Sequence, residues 1–334
     1  MKIWMPYVRG GSGTDTFTTA LAGQIESLGH SVVTRQFPHA FQYAPDLLRL
    51  IRPPVGTEVT LTNTWNGFTF HRRGIAMVTM EQLCVFDPAY IDLKSWNQDV
   101  FHRVMVRSFE TRTFRAADRV VAVSESTALA VADAFPGVAP VVIQNGVDTD
   151  FFVPPERRDP DPLGRFRLLY VGNLTLRKGV DLLPALMEEL GDRFVLRYTS
   201  GLRTKSRLNI RNSEPLGKLD RVGVRKAYQT SDALVFPTRL EGLPLSVLEA
   251  MACGLPVVAS DRSSMAEVVD DGVTGLLSPM NAMKMAQSVR TLAKGTFREE
   301  ASRAAREKVV AEFALARTAR RYLELFEEVT RPAA

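Results

Sequence analysis

Two carboxylates eight residues apart, Glu241 and Glu249, stand in the segment 236–260, FPTRLEGLPLSVLEAMACGLPVVAS. The first precedes an expected helix start at Gly242, Leu243, Pro244, Leu245 and Ser246, and the second lies two turns inside it. Pro suits a first helical turn because its missing N–H is one that no helix carbonyl could satisfy. The remaining free amides and the positive end of the helix dipole make a receptor for phosphate that needs no lysine. Eight steps of about 100° bring a helix close to two full turns, so both carboxylates are expected on nearly one face. Carboxylates accept paired hydroxyls, so one Glu can hold a ribose and the other a hexose, with a diphosphate between them. Glu249 sits in the apolar run Leu-Glu-Ala-Met-Ala-Cys-Gly, where a charge requires a partner.

These residues resemble the retaining glycosyltransferases of family 4, which have the GT-B fold. Glu241, seven residues, Glu249 and the stretch 250–259 match that family's signature, as does 261–277, DRSSMAEVVDDGVTGLL. Upstream, 170–179 (YVGNLTLRKG), 121–126 (VAVSES) and 144–148 (QNGVD) continue the likeness, which covers nearly the whole chain and is tightest over 120–280. The resemblance implies an α/β protein of two Rossmann-like domains facing across a cleft, with a C-terminal helix crossing back to the first. It also implies that Glu241 holds hexose hydroxyls and Glu249 the ribose.

Lys178 ends the loop 172–179, where an ammonium and backbone amides could hold a phosphate together. The family places a diphosphate-binding Lys here and usually an Arg after Gly172, where this chain has Asn173. Arg177 is either the replacement charge or a surface residue. In the first domain the family commonly has a His where VTMEQ puts Glu81, which would bind a sugar hydroxyl, contact a cationic acceptor or point away; an alignment shifted by one nominates Gln82. The glycine loop 9–14 would let backbone at Gly11, Ser12 and Gly13 approach the transferred sugar. Leu216-Gly217-Lys218 and Thr199-Ser200-Gly201 resemble the loops that frame the base, where backbone contacts leave uracil, guanine and adenine unresolved.

The elements that must position these groups alternate strand and helix, the pattern of parallel sheets covered on both faces. A strand is expected over 2–8, then a helix over 14–28 with Phe17, Leu21, Ile25 and Leu28 on one face and Gly29 as its stop, then a strand over 31–34. A second strand–loop–helix start covers 166–171, 172–179 and 180–190, with Gly191 as its stop, so the chain reads as two nucleotide-fold halves. The segment 152–165, with four Pro, is the linker candidate. The expected division is an acceptor-binding domain over 1–155, a donor-binding domain over 156–312 and a bracing helix over 313–334, with Leu315, Tyr322, Leu323 and Phe326 at helical spacing.

At 334 residues and 45% hydrophobic content the chain suits two globular domains, and no apolar run reaches the roughly 18 residues of a membrane span. The start, MKIWMPYVRGGSG, reads as a strand rather than a signal peptide. Cys84, Cys253 and the four histidines form no spaced cluster, which points to free thiols in a reducing cytoplasm and to no protein metal site. The net charge is +5, but the first 150 residues are about neutral and the excess is spread over helices, so nucleic acid is not an expected partner. The stretch 101–119 mixes apolar residues with five Arg, either as an interfacial helix at the inner membrane face or as a core-facing helix with a solvated basic side. No motif names a nucleophile for double displacement. The family mechanism is same-face attack with retention, in which the departing phosphate oxygen takes the acceptor's proton. A preorganised phosphate site then requires no metal ion or cofactor. Three functions fit: transfer of a hexose from a UDP or GDP sugar to a glycan, lipid-linked or small glycoconjugate acceptor; a nucleotide-sugar epimerase of the same fold; or a non-catalytic nucleotide-sugar-binding protein.

Overall fold

The computed structural model describes residues 1–11, 13–200, 209–294 and 296–331. The chain divides into two compact units, 1–146 with 315–334, and 147–314.

In the first unit, strands β1 (Lys2–Val8), β2 (Ser31–Phe37), β3 (Val59–Asn63), β4 (Ala76–Glu81), β5 (Arg119–Ala122) and β6 (Val141–Val142) form one sheet in the order β2-β1-β3-β4-β5-β6, parallel throughout. The helix Gly13–Ser27 buries Phe17, Leu21 and Ile25, the expected face. Gly29 stops the chain at φ +89°, a conformation only glycine adopts without strain. β2 runs three residues past the expected 31–34, because its pairing with β1 continues from Ser31 to Phe37. The helix Leu315–Thr330 belongs to this unit, where Tyr322 and Phe326 are fully buried.

In the second unit, β7 (Phe166–Tyr170), β8 (Phe194–Thr199), β9 (Ser213–Gly217), β10 (Ala233–Phe236), β11 (Val257–Ser260) and β12 (Gly275–Ser278) form a parallel sheet in the order β12-β11-β10-β7-β8-β9. The expected helix over 180–190 is a short 3-10 turn followed by the helix Leu183–Leu190, with Pro184 in its first turn. That helix buries Leu183, Leu186, Met187 and Leu190 against β7 and β8, each contributing roughly 1.5–3 kcal/mol of hydrophobic stabilisation. The Pro-rich stretch 152–165 lies within this unit.

The strand order has a functional consequence. From β7 the chain moves outward to β8 and β9, then returns to place β10 on the other side of β7. Open α/β sheets bind ligands beyond the carboxyl ends of the strands at such a reversal, here beyond β7 and β10.

Candidate functional site

The two loops that leave this reversal carry Arg177, Lys178 and Glu241. After β7 the chain turns at Gly172, whose N–H donates to Thr199 Oγ1 at 3.1 Å, and closes with a 3-10 turn over Leu176–Lys178. Gly179 ends that turn at φ +70°, so close to β10 that an added Cβ would lie 1.7 Å from the Pro237 carbonyl oxygen. The turn is locked from the β10 side as well. Arg239 N–H donates to the Arg177 carbonyl at 2.8 Å, and the Arg239 guanidinium bonds the Leu176 carbonyl and both Asp181 oxygens.

Glu241 is the hub. Its Oε1 accepts from Lys178 Nζ at 2.7 Å, Arg177 Nη1 at 2.9 Å and Thr238 Oγ1 at 3.3 Å. The Glu241, Lys178 and Arg177 side chains are 11%, 13% and 21% exposed, so the charges meet where solvent screens them weakly. Burial pushes the Glu241 carboxyl upward, but the two cations outweigh it and hold the group below its usual range. Burial drives the Lys178 ammonium below its usual value despite the neighbouring Glu241 charge. Arg177 is part of this cluster and also bonds the Leu240 carbonyl at 2.6 Å.

Glu241 lies outside the helix, which spans Leu245–Ala252 with Pro244 as its N-cap. The helical-phase argument for two carboxylates on one face therefore does not apply; Thr238, Arg177 and Lys178 set the direction of Glu241. Its backbone is pinned by Ser263, which accepts from Glu241 N–H at 3.2 Å and donates to the Glu241 carbonyl at 2.5 Å. Ser263 does this at φ +55°, a strained conformation for a non-glycine residue. The helix start has no side-chain cap; Gly242, Leu243 and Pro244 are buried beside it and Leu245 partly so. Glu249, inside the helix, finds the partner its apolar setting requires: Tyr228 Oη donates to its Oε2 at 2.9 Å. Burial raises its carboxyl to about 7.

Asn173 takes part through its backbone, accepting from Tyr170 Oη at 3.0 Å. Gly217 ends β9 at φ +68°, its carbonyl accepts from Ser200 N–H, and Lys218 beyond it is exposed. The loops after β7, β8 and β9 thus meet at one edge of the sheet. Gly201 and Ser12 lie outside the described residues.

In the first unit the glycine loop follows β1, and Asp15 fills it. Its carboxylate accepts from Gly10 N–H at 3.1 Å and Gly11 N–H at 2.8 Å, so these amides face a protein anion. Gly13 opens the helix that follows. Glu81, at the end of β4, turns into the core and is 3% exposed, while Gln82 pairs with Asn145. Glu81 Oε1 accepts from Leu83 N–H at 3.1 Å, while its Oε2 is buried without a hydrogen-bond partner among the described residues. The fully buried Glu110 is its neighbour, and Thr64 Oγ1 donates to Glu110 Oε1 at 3.1 Å. Burial raises Glu81 to about 7; burial, then the Glu81 charge, raises Glu110 well above the usual range. Two buried carboxyls with raised values favour their neutral forms, and the Glu81 charge opposes ionisation of Glu110.

Residues 101–119 take the core-facing alternative. Val106, Phe109 and Phe114 are buried, while Arg112 lies over the Phe68 ring and pairs with Asp46 at 2.8 Å. Val104, in the same stretch, is exposed and lies in line with the exposed Trp96 and Val100 that precede it. Among the described residues no helix is long and apolar enough to cross a membrane.

Sequence reasoning missed Glu110, Thr238, Ser263 and Tyr228. Thr238 lies between the strand and Glu241, and Ser263 lies in the segment 261–277 that carries the family likeness, so both could have been suspected; Glu110 and Tyr228 are distant in sequence and carry no local signal.

The family model described as glycosyl transferases group 1 matches residues 165–294, and that of glycosyltransferase family 4 matches 69–151. The alpha-maltose-1-phosphate synthase of Mycolicibacterium smegmatis is 31% identical over 67% of this chain and 67% of its own length. The glycogen synthase of Mycobacterium tuberculosis is 25% identical over 90% of this chain and 81% of its own. Among solved structures, sucrose-phosphate synthase from Thermosynechococcus elongatus superposes with a TM-score of 0.82 at 17% identity, over 98% of both chains. Anabaena HepE, solved with UDP and glucose, gives 0.74 at 16% identity, over 98% of this chain and all of that one.

Proposed function

The chain belongs to the group 1 glycosyl transferases of family 4 and is a glycosyltransferase, and on that premise we propose that it moves a hexose from a UDP or GDP sugar to a hydroxyl with retention of anomeric configuration. The observation that carries this reading is the cluster beyond β7 and β10, where Glu241 holds Arg177 and Lys178 beside an uncapped helix start. A diphosphate placed there replaces Glu241 as partner to one or both cations. The freed carboxylate then accepts from hexose hydroxyls, and Glu249 with Tyr228 holds the ribose. In the reaction the acceptor hydroxyl bonds to the anomeric carbon on the face from which the diphosphate leaves. The bond from that carbon to the phosphate oxygen breaks, and the same oxygen takes the acceptor proton. Arg177, Lys178 and the helix amides stabilise the charge that grows on the diphosphate. With two cations in that role we propose that no metal ion or cofactor is required.

Roles follow for the chain's two units, whose boundaries differ from the expected 1–155, 156–312 and 313–334: residues 1–146 hold the acceptor, 147–314 the donor, and the helix Leu315–Thr330 braces the first unit. We place the reaction in the cytoplasm, in keeping with the buried free thiols Cys84 and Cys253. The acceptor is a glycan, a lipid-linked sugar or a small glycoconjugate. The exposed stripe of Trp96, Val100 and Val104 is where the protein would meet the membrane if the acceptor is lipid-linked.

The test measures thermal stabilisation by UDP, GDP, ADP and TDP, then transfer from the matching nucleotide sugar, with product stereochemistry read by NMR. UDP is tried first because HepE was solved with it. Retained transfer in EDTA supports the metal-free reading. Nucleotide binding without transfer to any acceptor, or an inverted product, sinks it.

A further inference from the structure

The opposite edge of the second sheet opens on a cavity of about 1010 Å³. Phe166 and Phe194, which begin β7 and β8, line it together with Asp232, just before β10. It therefore lies at the amino ends of the strands, away from the Glu241 cluster at their carboxyl ends. Seven Arg and Lys side chains line it against three carboxylates. Two of those carboxylates are already engaged, Asp161 with Arg165 at 3.2 Å and Asp232 with Arg167 at 3.0 Å.

The cations left over are the informative ones. Arg193, Lys294 and Arg303 are exposed and make no ion pair among the described residues. Arg158 donates from Nη2 to the Cys253 and Gly254 carbonyls at 3.3 and 3.5 Å, just past the helix Leu245–Ala252. Its Nε–H is buried with no acceptor among the described residues. Burial also pulls this guanidinium down to about 10. A buried donor without an acceptor and a ring of uncompensated like charges both cost folding free energy, and a bound anion relieves both at once. A cavity of about 1010 Å³ lined by this many cations has room and charge for more than one phosphate group.

We propose that this cavity is a second anion site, separate from the donor site, for a soluble ligand carrying two or more phosphate groups. The full chain is first saturated with its nucleoside diphosphate so that the donor site is filled. It is then titrated calorimetrically with inorganic tripolyphosphate and, in parallel, mixed with phosphatidylglycerol and phosphatidylcholine vesicles. One saturable tripolyphosphate site is expected, weakened at least tenfold in the double variant Arg193→Glu, Lys294→Glu and unchanged in Arg317→Glu on the first unit. Both substituted residues are exposed, so the variant keeps its fold, checked by an unchanged melting temperature. Binding to phosphatidylglycerol vesicles alone would overturn the proposal, as would tripolyphosphate affinity indifferent to the double variant. Affinity lost instead in Lys178→Met would place the anion in the donor site and overturn it too, without touching the donor reading.

Discussion

Replacing Lys178 by Met removes the ammonium 2.7 Å from Glu241 and keeps much of the side chain's apolar length. The fold should tolerate it. Breaking a buried ion pair costs about 3–5 kcal/mol when the surviving charge is stranded. Here Glu241 keeps Arg177 at 2.9 Å and Thr238 at 3.3 Å, and the lost ammonium was itself disfavoured by burial. The stability loss should therefore fall below that range. Ligand binding should suffer more. A hydrogen bond to a charged group contributes about 1.5–3 kcal/mol, which at 1.4 kcal/mol per decade is a roughly 10- to 150-fold weaker Kd for the nucleoside diphosphate. If the ammonium stabilises charge developing on the leaving diphosphate, kcat should fall by about 10²–10³, as when one preorganised donor is removed from a transition-state site. Calorimetry with the nucleoside diphosphate and its monophosphate isolates the contact, because only the diphosphate carries the group bonded to the hexose. The variant should lose diphosphate affinity and leave monophosphate affinity within about threefold. Equal losses for both nucleotides, or unchanged diphosphate affinity in a folded variant, would refute a Lys178 contact to the terminal phosphate.

Gly179→Ala should cost more stability than Gly191→Ala, although both glycines have φ above +70° or at it. Gly179 has a left-handed backbone at φ +70° and ψ +24°, and Gly191 a positive-φ conformation at φ +76° and ψ −168°, each costing about 1–3 kcal/mol for a non-glycine residue. Only at Gly179 does the new methyl meet a backbone carbonyl, at 1.7 Å, whereas at Gly191 nothing lies within 4 Å. Thermal melts of the two variants compare them, and a Gly179 variant as stable as the Gly191 one would show that the turn can move. Glu110→Gln tests the two buried acids. Both have raised values in the folded state, so the stability they contribute is complete below the ordinary carboxyl value of 4.5 and is lost as pH rises through their folded values, about 7 for Glu81. The variant should flatten this fall, gaining melting temperature at pH 8 relative to pH 5; an unchanged pH profile would show that the pair does not titrate with folding. Glu249, also raised to about 7, should ionise as pH rises, so donor affinity should increase from pH 6 to 8 in the wild type and stay level in Glu249→Gln. Calorimetry at the two pH values decides it. For membrane contact, Trp96→Glu should abolish sedimentation with phosphatidylglycerol vesicles if the wild type shows any, and an undiminished bound fraction would remove the stripe from consideration.

The residues whose location was legible in sequence are those that closely follow a strand end. Lys178 and Glu241 each follow a strand end, and two parallel strands paired side by side bring those ends together, as β7 and β10 do. Direction was less legible than location. Glu241 was expected to follow helical phase from Glu249, yet Leu245 is the first helical residue, and it is two cations and Thr238 that aim the carboxylate. The amides of the glycine loop illustrate the same gap. Gly11 was expected to offer its backbone to a sugar, while Asp15, four residues on, accepts that amide in the structure.

Glu81 shows why sequence stops where it does. A lone acid at a strand end looks like a ligand-binding group, because a buried carboxylate without a partner is too costly to keep. Its neighbour is another acid, Glu110, twenty-nine residues away on a different element, and burial of the two raises both carboxyls toward their neutral forms rather than supplying a positive charge. No spacing rule finds such a pair, since two acids are ordinarily read as repelling. Glu81 thus touches the reaction in one of two ways. Either the pair stays closed and only supports the end of β4, in which case Glu81→Gln changes stability and leaves kcat/KM intact. Or an acceptor draws Glu81 away from Glu110, in which case Glu81→Gln raises KM for the acceptor and leaves the donor Kd unchanged. The closed geometry, with Glu81 buried in the core and Leu83 N–H on its Oε1, favours the first outcome.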